Sequence, residues 1–159
     1  MDSWIPQISD NIKRYIVLVL SALGLLISII IRLFIENQNS SLPGCRPTAF
    51  SGLFNCDFVI NSVYGQIWGI PLSLLGAFYF ICILAIYGVN YKNDYVIAII
   101  SLVGILSILD FVYIEFFLVD HFCLYCTSIH IIVILIFILI GPPAIVNSYQ
   151  NIKQRYQQR

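Results

Sequence analysis

Four long apolar stretches constrain the fold of this chain more than any other feature of its sequence. Each approaches or exceeds the ~20 residues with which a helix crosses the hydrocarbon core of a bilayer. A spanning segment must satisfy its own backbone hydrogen bonds, so each stretch is predicted to be helical. With 60% hydrophobic and 10% charged residues, the sequence predicts an all-α membrane protein of one domain (residues 1–159), a bundle of four transmembrane helices. The predicted spans are approximately 15–35, 70–89, 95–119 and 123–140.

The distribution of basic residues predicts how these helices are oriented. If the N-terminus is cytoplasmic, six of the eight Lys and Arg residues lie on the cytoplasmic side, as the positive-inside rule favours. Only Arg32 and Arg46 then lie toward the other side. We therefore expect a multi-pass protein of a plasma or inner membrane with both termini in the cytoplasm. The loop of residues 37–69 and the cysteines of the chain's two candidate redox pairs would be external.

The external loop of residues 37–69 divides into an irregular part and a short helix. Residues 37–52 are rich in Asn, Ser, Pro and Gly, which favour turns. From Cys56 onward apolar residues recur at helical spacing, and Gly65 offers a helix stop. We expect a short amphipathic helix on the membrane surface, a lid that carries Cys56 toward the ends of the spanning helices. Trp68 follows as an interfacial anchor.

Cys123 and Cys126 form a CxxC motif at the start of the fourth stretch, an arrangement typical of thiol oxidoreductases. Because the spacing from Cys123 to Cys126 and on to His130 is three and four residues, the three share one helix face. A helix N-terminus favours the thiolate, which attacks disulfides directly. The stripe predicts a redox path toward an acceptor dissolved in lipid, with His130 hydrogen-bonded to a quinone carbonyl. Alternatively, His130 hydrogen-bonds a neighbouring helix without further function.

Cys45 and Cys56 supply a second cysteine pair in the external loop, where an oxidising environment allows disulfides to persist. Two pairs that can meet form a relay for electrons. Two alternatives stay open at this point: a purely structural bridge between Cys45 and Cys56, and a four-cysteine metal site. An oxidising exterior disfavours the metal site, and we expect no metal. Cys82, in the middle of the second span, is expected to be a small core residue.

Two carboxylates in the third stretch, Asp110 and Glu115, are costly inside a membrane. Glu115 is near enough to the interface that we expect it to be solvated. Asp110 could pair with His130 or relay protons. His121 and Asp120, between the third and fourth stretches, are expected to be solvated loop residues.

The combination of these motifs resembles the vitamin K epoxide reductase (VKOR) family. The family signature is a cysteine pair in the first external loop, a following short helix with a serine, and CxxC at the start of the fourth span. The stretch from Cys56 to Gly65, leading into residues 69–73, is similar to its prokaryotic branch in particular. The resemblance covers about residues 10–142.

The resemblance implies a role for each cysteine of the two pairs. Cys45 and Cys56 match the shuttle pair, and Cys123 and Cys126 match the active-site pair. A reduced thioredoxin-like (DsbA-like) protein would attack the shuttle disulfide at Cys45, and Cys56 would pass the electrons to Cys123. Cys126 would reduce a quinone of the ubiquinone or menaquinone class, and Ser62 would hydrogen-bond near the active site.

Three departures from the family pattern bear on function. The gap of ten residues between Cys45 and Cys56 is longer than is usual in prokaryotic members. Gly65 and Gln66 stand near the position of an asparagine of the animal branch, which weakens the case for epoxide reduction. Many bacterial members carry a fused thioredoxin-like domain, whereas this chain is expected to use a separate partner.

The sequence therefore predicts a membrane thiol oxidase that reoxidises a thioredoxin-fold partner and passes the electrons to a quinone, supporting disulfide bond formation. We expect a monomer in the lipid bilayer with no nucleic-acid partner. One alternative is a vitamin K quinone or epoxide reductase of an endoplasmic-reticulum membrane. Another is a non-catalytic membrane protein with structural disulfides. A disulfide-formation protein of the DsbB type has its two cysteine pairs in the reverse order.

Overall fold

A computed structural model describes residues 10–36, 56–89 and 93–157, and all structural statements below refer to these residues. Helices account for most of them, as the sequence predicts. In chain order the elements are α1 (Asp10–Glu36), α2 (Cys56–Asn61), a 3₁₀ turn (Val63–Gly65), β1 (Gln66–Ile67), β2 (Ile70–Pro71), α3 (Leu72–Gly88), α4 (Asp94–Tyr113), a π-helical turn that continues α4 (Ile114–Val119), and α5 (Leu124–Gln157).

Three segments of these helices are long and apolar enough to cross a membrane: Asn11–Phe34, Asp94–Val119 and Leu124–Gln154. Many of their large apolar side chains are exposed, which is favourable toward lipid and unfavourable toward water. The prediction of an all-α membrane protein is therefore confirmed. Helix α3 is equally apolar but has only 17 residues, so its crossing of the bilayer stays a prediction.

The long helices pack chiefly as two pairs, α1 against α3 and α4 against α5, and α1 also contacts α5. Small residues allow α1 and α3 to approach closely. Gly24 of α1 lies directly against the ring of Phe80, and Gly76 of α3 lies beside the Ser28 side chain. The main buried apolar cluster lies between the helices and comprises Val17, Phe80, Ile83, Ile108, Ile132, Val133, Ile136 and Ile140.

Substitution of Gly24 by alanine should destabilise the contact between α1 and α3 by ~1–3 kcal/mol, the usual cost of overpacking. The ring of Phe80 occupies the space that a Cβ at residue 24 would take, and Phe80 is completely buried. Gly88→Ala is the matched control, because a Cβ at Gly88 would meet nothing within 4 Å. Thermal unfolding in detergent compares the two, and equal melting temperatures would contradict this packing.

Helix α5 continues further than the sequence predicts. The fourth predicted span ends at residue 140, directly before Gly141, Pro142 and Pro143, and proline is expected to end a helix. Both prolines instead lie inside a helix that continues to Gln157. The proline ring fixes φ near a helical value, although each proline removes one backbone hydrogen bond. Both prolines are exposed whereas Gly141 and Ala144 are buried, so the disturbed side of the helix faces away from its neighbours.

The segment between α2 and α3 is more regular than predicted. Strands β1 and β2 form an antiparallel hairpin that pairs Gln66 with Pro71. Its two turn residues, Trp68 and Gly69, have positive φ angles of 51° and 78°, as in a type I′ turn. Pro71 therefore ends the hairpin, immediately before the first turn of α3 at Leu72. The Trp68 side chain is 98% exposed at the hairpin tip.

Candidate redox site

Cys123 and Cys126 lie side by side at the start of α5. The carbonyl of Cys123 accepts the N–H of Thr127 at 2.9 Å, which makes Cys123 the N-cap residue of the helix. The two Sγ atoms are 2.6 Å apart, with the Cys126 thiol donating, and the backbone N–H of Cys126 also donates to the Cys123 Sγ at 3.2 Å. Both are free thiols. A small movement would bring the sulfurs to the ~2.05 Å of a disulfide.

The surroundings of Cys123 favour its thiolate. The hydrogen bond from the Cys126 thiol lowers the pKa of Cys123, and backbone N–H groups at the helix start act in the same direction. Burial and the negative charge of Glu115 oppose this effect. A lower pKa raises the fraction of thiolate, which is the form that attacks disulfides.

Cys56, the first residue of α2, lies in the same buried cluster as Cys123. Both residues are completely buried, and Val59 and Val119 pack with them. Cys56 is disulfide-bonded. Its expected partner, Cys45, lies outside the described residues. Helix α2 therefore covers the start of α5 and places a disulfide-bonded cysteine beside the CxxC motif.

A cavity of about 440 Å³ extends from this cluster between α3, α4 and α5. Its wall contains Cys126, Ser62 and His130, the three residues predicted to contact a quinone. The rest of the wall is mostly apolar, with Leu75, Phe78, Phe111 and Val133 among its members. Its volume lies within the range of ~300–1,000 Å³ of small-molecule sites, which are typically apolar with a few polar groups.

The polar residues predicted around this site differ in their placement. His130 is half-buried in the cavity wall, and its ring stacks on Phe111 at a centroid distance of 6.1 Å. Asp110 is exposed and lies outside the cavity wall, so its predicted pairing with His130 gains no support. The Ser62 hydroxyl donates to the carbonyl of Val59 at 2.7 Å, which fixes the end of α2 at the cavity.

Three further sequence predictions meet different outcomes. His121 was expected to be a solvated loop residue, but its ring packs on Phe58 of α2 at a centroid distance of 4.7 Å. Its Nδ1 also lies 2.9 Å from the carbonyl oxygen of Val119, so His121 helps to hold α2 in place. Asp120 is exposed as expected. Cys82 is a half-buried free thiol in the cavity wall rather than a core residue.

Glu115 was expected to be solvated, and the structure shows that this is wrong. Its side chain is only 6% exposed and lies in the cavity wall, close enough to Cys123 and Cys126 to interact with them electrostatically. The π-helical turn at Ile114–Val119 explains the difference, because a wider turn changes which side chains face inward. A carboxylate flanked by apolar residues was the only signal in the sequence.

Tyr79 is a further polar residue of the cavity, and the sequence does not single it out. It enters the wall from α3, and its hydroxyl is buried without a hydrogen-bond partner among the described residues. A lone tyrosine in an apolar stretch gives no sequence signal, because tyrosines are common at positions that face lipid headgroups as well as cores.

The order of these features along the chain matches a known protein family. The model of the vitamin K epoxide reductase family matches residues 15–140. The chain belongs to the VKOR family. The matched region contains Cys56, the CxxC motif and the helices that line the cavity. VKOR-family membership makes the chain a membrane oxidoreductase, and the chemistry of this family is linked to thiols and quinones in general. Among curated proteins, no sequence matches the chain.

Proposed function

We propose that this VKOR-family protein is a membrane thiol oxidase that takes electrons from an external thioredoxin-fold protein and delivers them to a membrane quinone. One observation carries the proposal. The two cysteines of the CxxC pair have different neighbours. Cys123 packs against the disulfide-bonded Cys56, and Cys126 lies in the wall of an apolar cavity. A dithiol in this position can exchange electrons with a disulfide on one side and with an apolar acceptor on the other.

The proposed topology has four spans, with α2 as a lid over the external end. Arg14 supports the cytoplasmic placement of the N-terminus, because it donates to the carbonyls of Tyr87 and Gly88, each at 2.9 Å, at the end of α3. The end of the bundle that contains Arg14 is therefore opposite to the end that contains α2, Cys56 and the CxxC pair. Basic residues at one end and redox cysteines at the other agree with the positive-inside rule and an oxidising exterior. We propose that the domain works as a monomer.

The first step exchanges a disulfide between the partner and the shuttle pair. Cys45 is the proposed partner of Cys56, since the other three of the five cysteines are free thiols. A thiolate of the reduced partner attacks Cys45 and forms a mixed disulfide, which releases Cys56. The second thiol of the partner then resolves this bond. The partner leaves as a disulfide, and Cys45 and Cys56 are left as two thiols.

The second step transfers the same two electrons to the CxxC pair. The thiolate of Cys56 attacks Cys123 in the oxidised pair, and Cys126 leaves as a thiolate. Cys45 then attacks Cys56, which restores the shuttle disulfide and releases Cys123.

The third step returns the CxxC pair to its disulfide. A bound quinone supplies the acceptor for two electrons and two protons, and the apolar cavity with few polar groups fits such a ring. Cys126 lies in the cavity wall, and forming the bond from Cys126 to Cys123 releases both electrons and both thiol protons. Glu115 lies in the wall and is close enough to the two thiols to interact with them electrostatically, so we propose that its carboxyl group takes up a thiol proton and releases it toward the cavity.

Steady-state turnover tests the proposed function. The purified protein in detergent is supplied with a reduced DsbA-like donor and with ubiquinone-1 or menadione, and quinone loss and donor oxidation are followed together. We expect one quinone reduced for each donor dithiol oxidised. If neither the donor nor dithiothreitol supports quinone reduction, the proposal is wrong and the disulfides are structural.

The variant Glu115→Gln should slow the quinone step by about 10²-fold, the lower end of what a positioned acid or base contributes. The amide keeps the shape of the side chain but cannot carry a proton between the thiols and the cavity. Asp110→Asn is the matched control, because Asp110 is an exposed carboxylate on the same helix and should tolerate the change. Rates of quinone reduction by dithiothreitol-reduced protein give the comparison. Equal rates for the two variants would exclude a proton-carrying role for Glu115.

A further inference from the structure

Tyr79 lines the cavity, and its hydroxyl group is one that the rest of the described protein does not use. The hydroxyl is buried and has no hydrogen-bond partner among the described residues. Its ring packs edge-on against Phe80, with the centroids 5.4 Å apart. A phenylalanine would make the same ring contacts without burying an unpaired hydroxyl, which is unfavourable. A buried polar group without a protein partner in a cavity wall is free to pair with an ordered water or with a bound ligand.

The position of this hydroxyl is defined by its neighbours on the other helices. Gly104 of α4 leaves room for it, because a Cβ at Gly104 would meet both the Tyr79 hydroxyl and the Val133 side chain of α5. The hydroxyl thus lies at the level of Val133. Val133 follows Cys126 by seven residues, which is about two turns or ~10 Å along the helix. His130 lies between these two levels in the same wall.

We propose that the Tyr79 hydroxyl donates a hydrogen bond to the quinone carbonyl that points away from Cys126, and so fixes the depth and orientation of the ring. This inference rests on the proposed function. A separation of about two helical turns along α5 leaves room for a reacting contact of ~3–3.5 Å from Cys126, a quinone ring and a hydrogen bond of ~2.7–2.8 Å to Tyr79. The ligand class is a quinone with two carbonyls on opposite sides of the ring.

The variant Tyr79→Phe separates this role from a structural one by the sign of its effect on stability. Without quinone, its melting temperature should equal or exceed that of the wild type, because the unpaired hydroxyl is gone. Ubiquinone-1 binds the oxidised protein without turnover, and the rise in melting temperature that it causes should be smaller in the variant than in the wild type. The Kd and KM for ubiquinone-1 should rise about three- to tenfold, as expected for one neutral hydrogen bond. The rate of Cys56 disulfide reduction should not change.

Tyr87→Phe is the matched control, because Tyr87 lies on the same helix outside the cavity wall and should leave quinone binding unchanged. Unchanged quinone affinity in Tyr79→Phe, or a melting temperature lowered without quinone, would overturn the inference. The proposed function fails in a different way, because the wild type would then neither bind nor reduce quinone. If the wild type reduces quinone and Tyr79→Phe binds it equally well, only the role of Tyr79 is wrong.

Discussion

Substitution of Cys126 by serine should abolish quinone reduction, whichever thiol supplies the electrons. Cys126 is the CxxC cysteine in the cavity wall, and its Sγ lies 2.6 Å from that of Cys123. Serine keeps the size of the side chain but cannot form the disulfide that releases two electrons. We expect the rate to fall by on the order of 10³-fold or more, as for the loss of other essential reacting groups.

Cys82→Ser provides the matched control for this experiment. Cys82 is also a free thiol in the cavity wall, but it lies on α3 and has no role in the relay. The absorbance of ubiquinone-1 gives the rate with dithiothreitol and with a protein donor. Substantial activity in Cys126→Ser, or an equally large loss in Cys82→Ser, would contradict the assignment of Cys126.

Substitution of Cys56 by serine should uncouple the protein donor from the quinone. Cys56 packs in one buried cluster with Cys123, and in the proposed relay it is the only cysteine that attacks the CxxC disulfide. Donor-driven turnover should therefore fall to background. Reduction driven by dithiothreitol should remain, because a small thiol can attack the CxxC disulfide without the shuttle pair.

The two reductants separate relay chemistry from folding in this variant. If Cys56→Ser loses activity with both, the residue holds α2 in place and its role in electron transfer is unsupported. If the variant keeps full activity with the protein donor, the donor reaches the CxxC pair directly and the shuttle step is wrong. Thermal unfolding of the variant beside Cys82→Ser shows whether the fold is retained.

The sequence predicted the features that depend on local spacing. Apolar stretches of membrane length gave the helices, and the spacing of Cys123, Cys126 and His130 predicted a shared face. The structure indeed brings Cys126 and His130 into one cavity wall. Helical periodicity and N-terminal capping act within a few residues, so a single sequence contains the information that determines them.

The features that the sequence did not predict depend on contacts between distant segments. Helices α3 and α4 are apolar on nearly every side, because a helix in lipid has no polar face toward solvent, so periodicity did not indicate which face points inward. The inward positions of Tyr79 and Glu115 were therefore missed. After α4, the π-helical turn changes the direction in which the following side chains point, and no sequence pattern predicted this turn. The continuation of α5 beyond Pro143 likewise depends on which side of the helix is packed.

The stoichiometry of a single anaerobic reaction tests the central claim most directly. Protein is fully reduced with dithiothreitol, freed of reductant and mixed with excess ubiquinone-1, and hydroquinone formed per protein is measured. The relay predicts two equivalents of hydroquinone for the wild type, one for Cys56→Ser and none for Cys126→Ser. Two are expected for the wild type because both cysteine pairs transfer their electrons to the quinone through Cys126. No hydroquinone from the wild type, or equal amounts from the wild type and Cys126→Ser, would contradict the account.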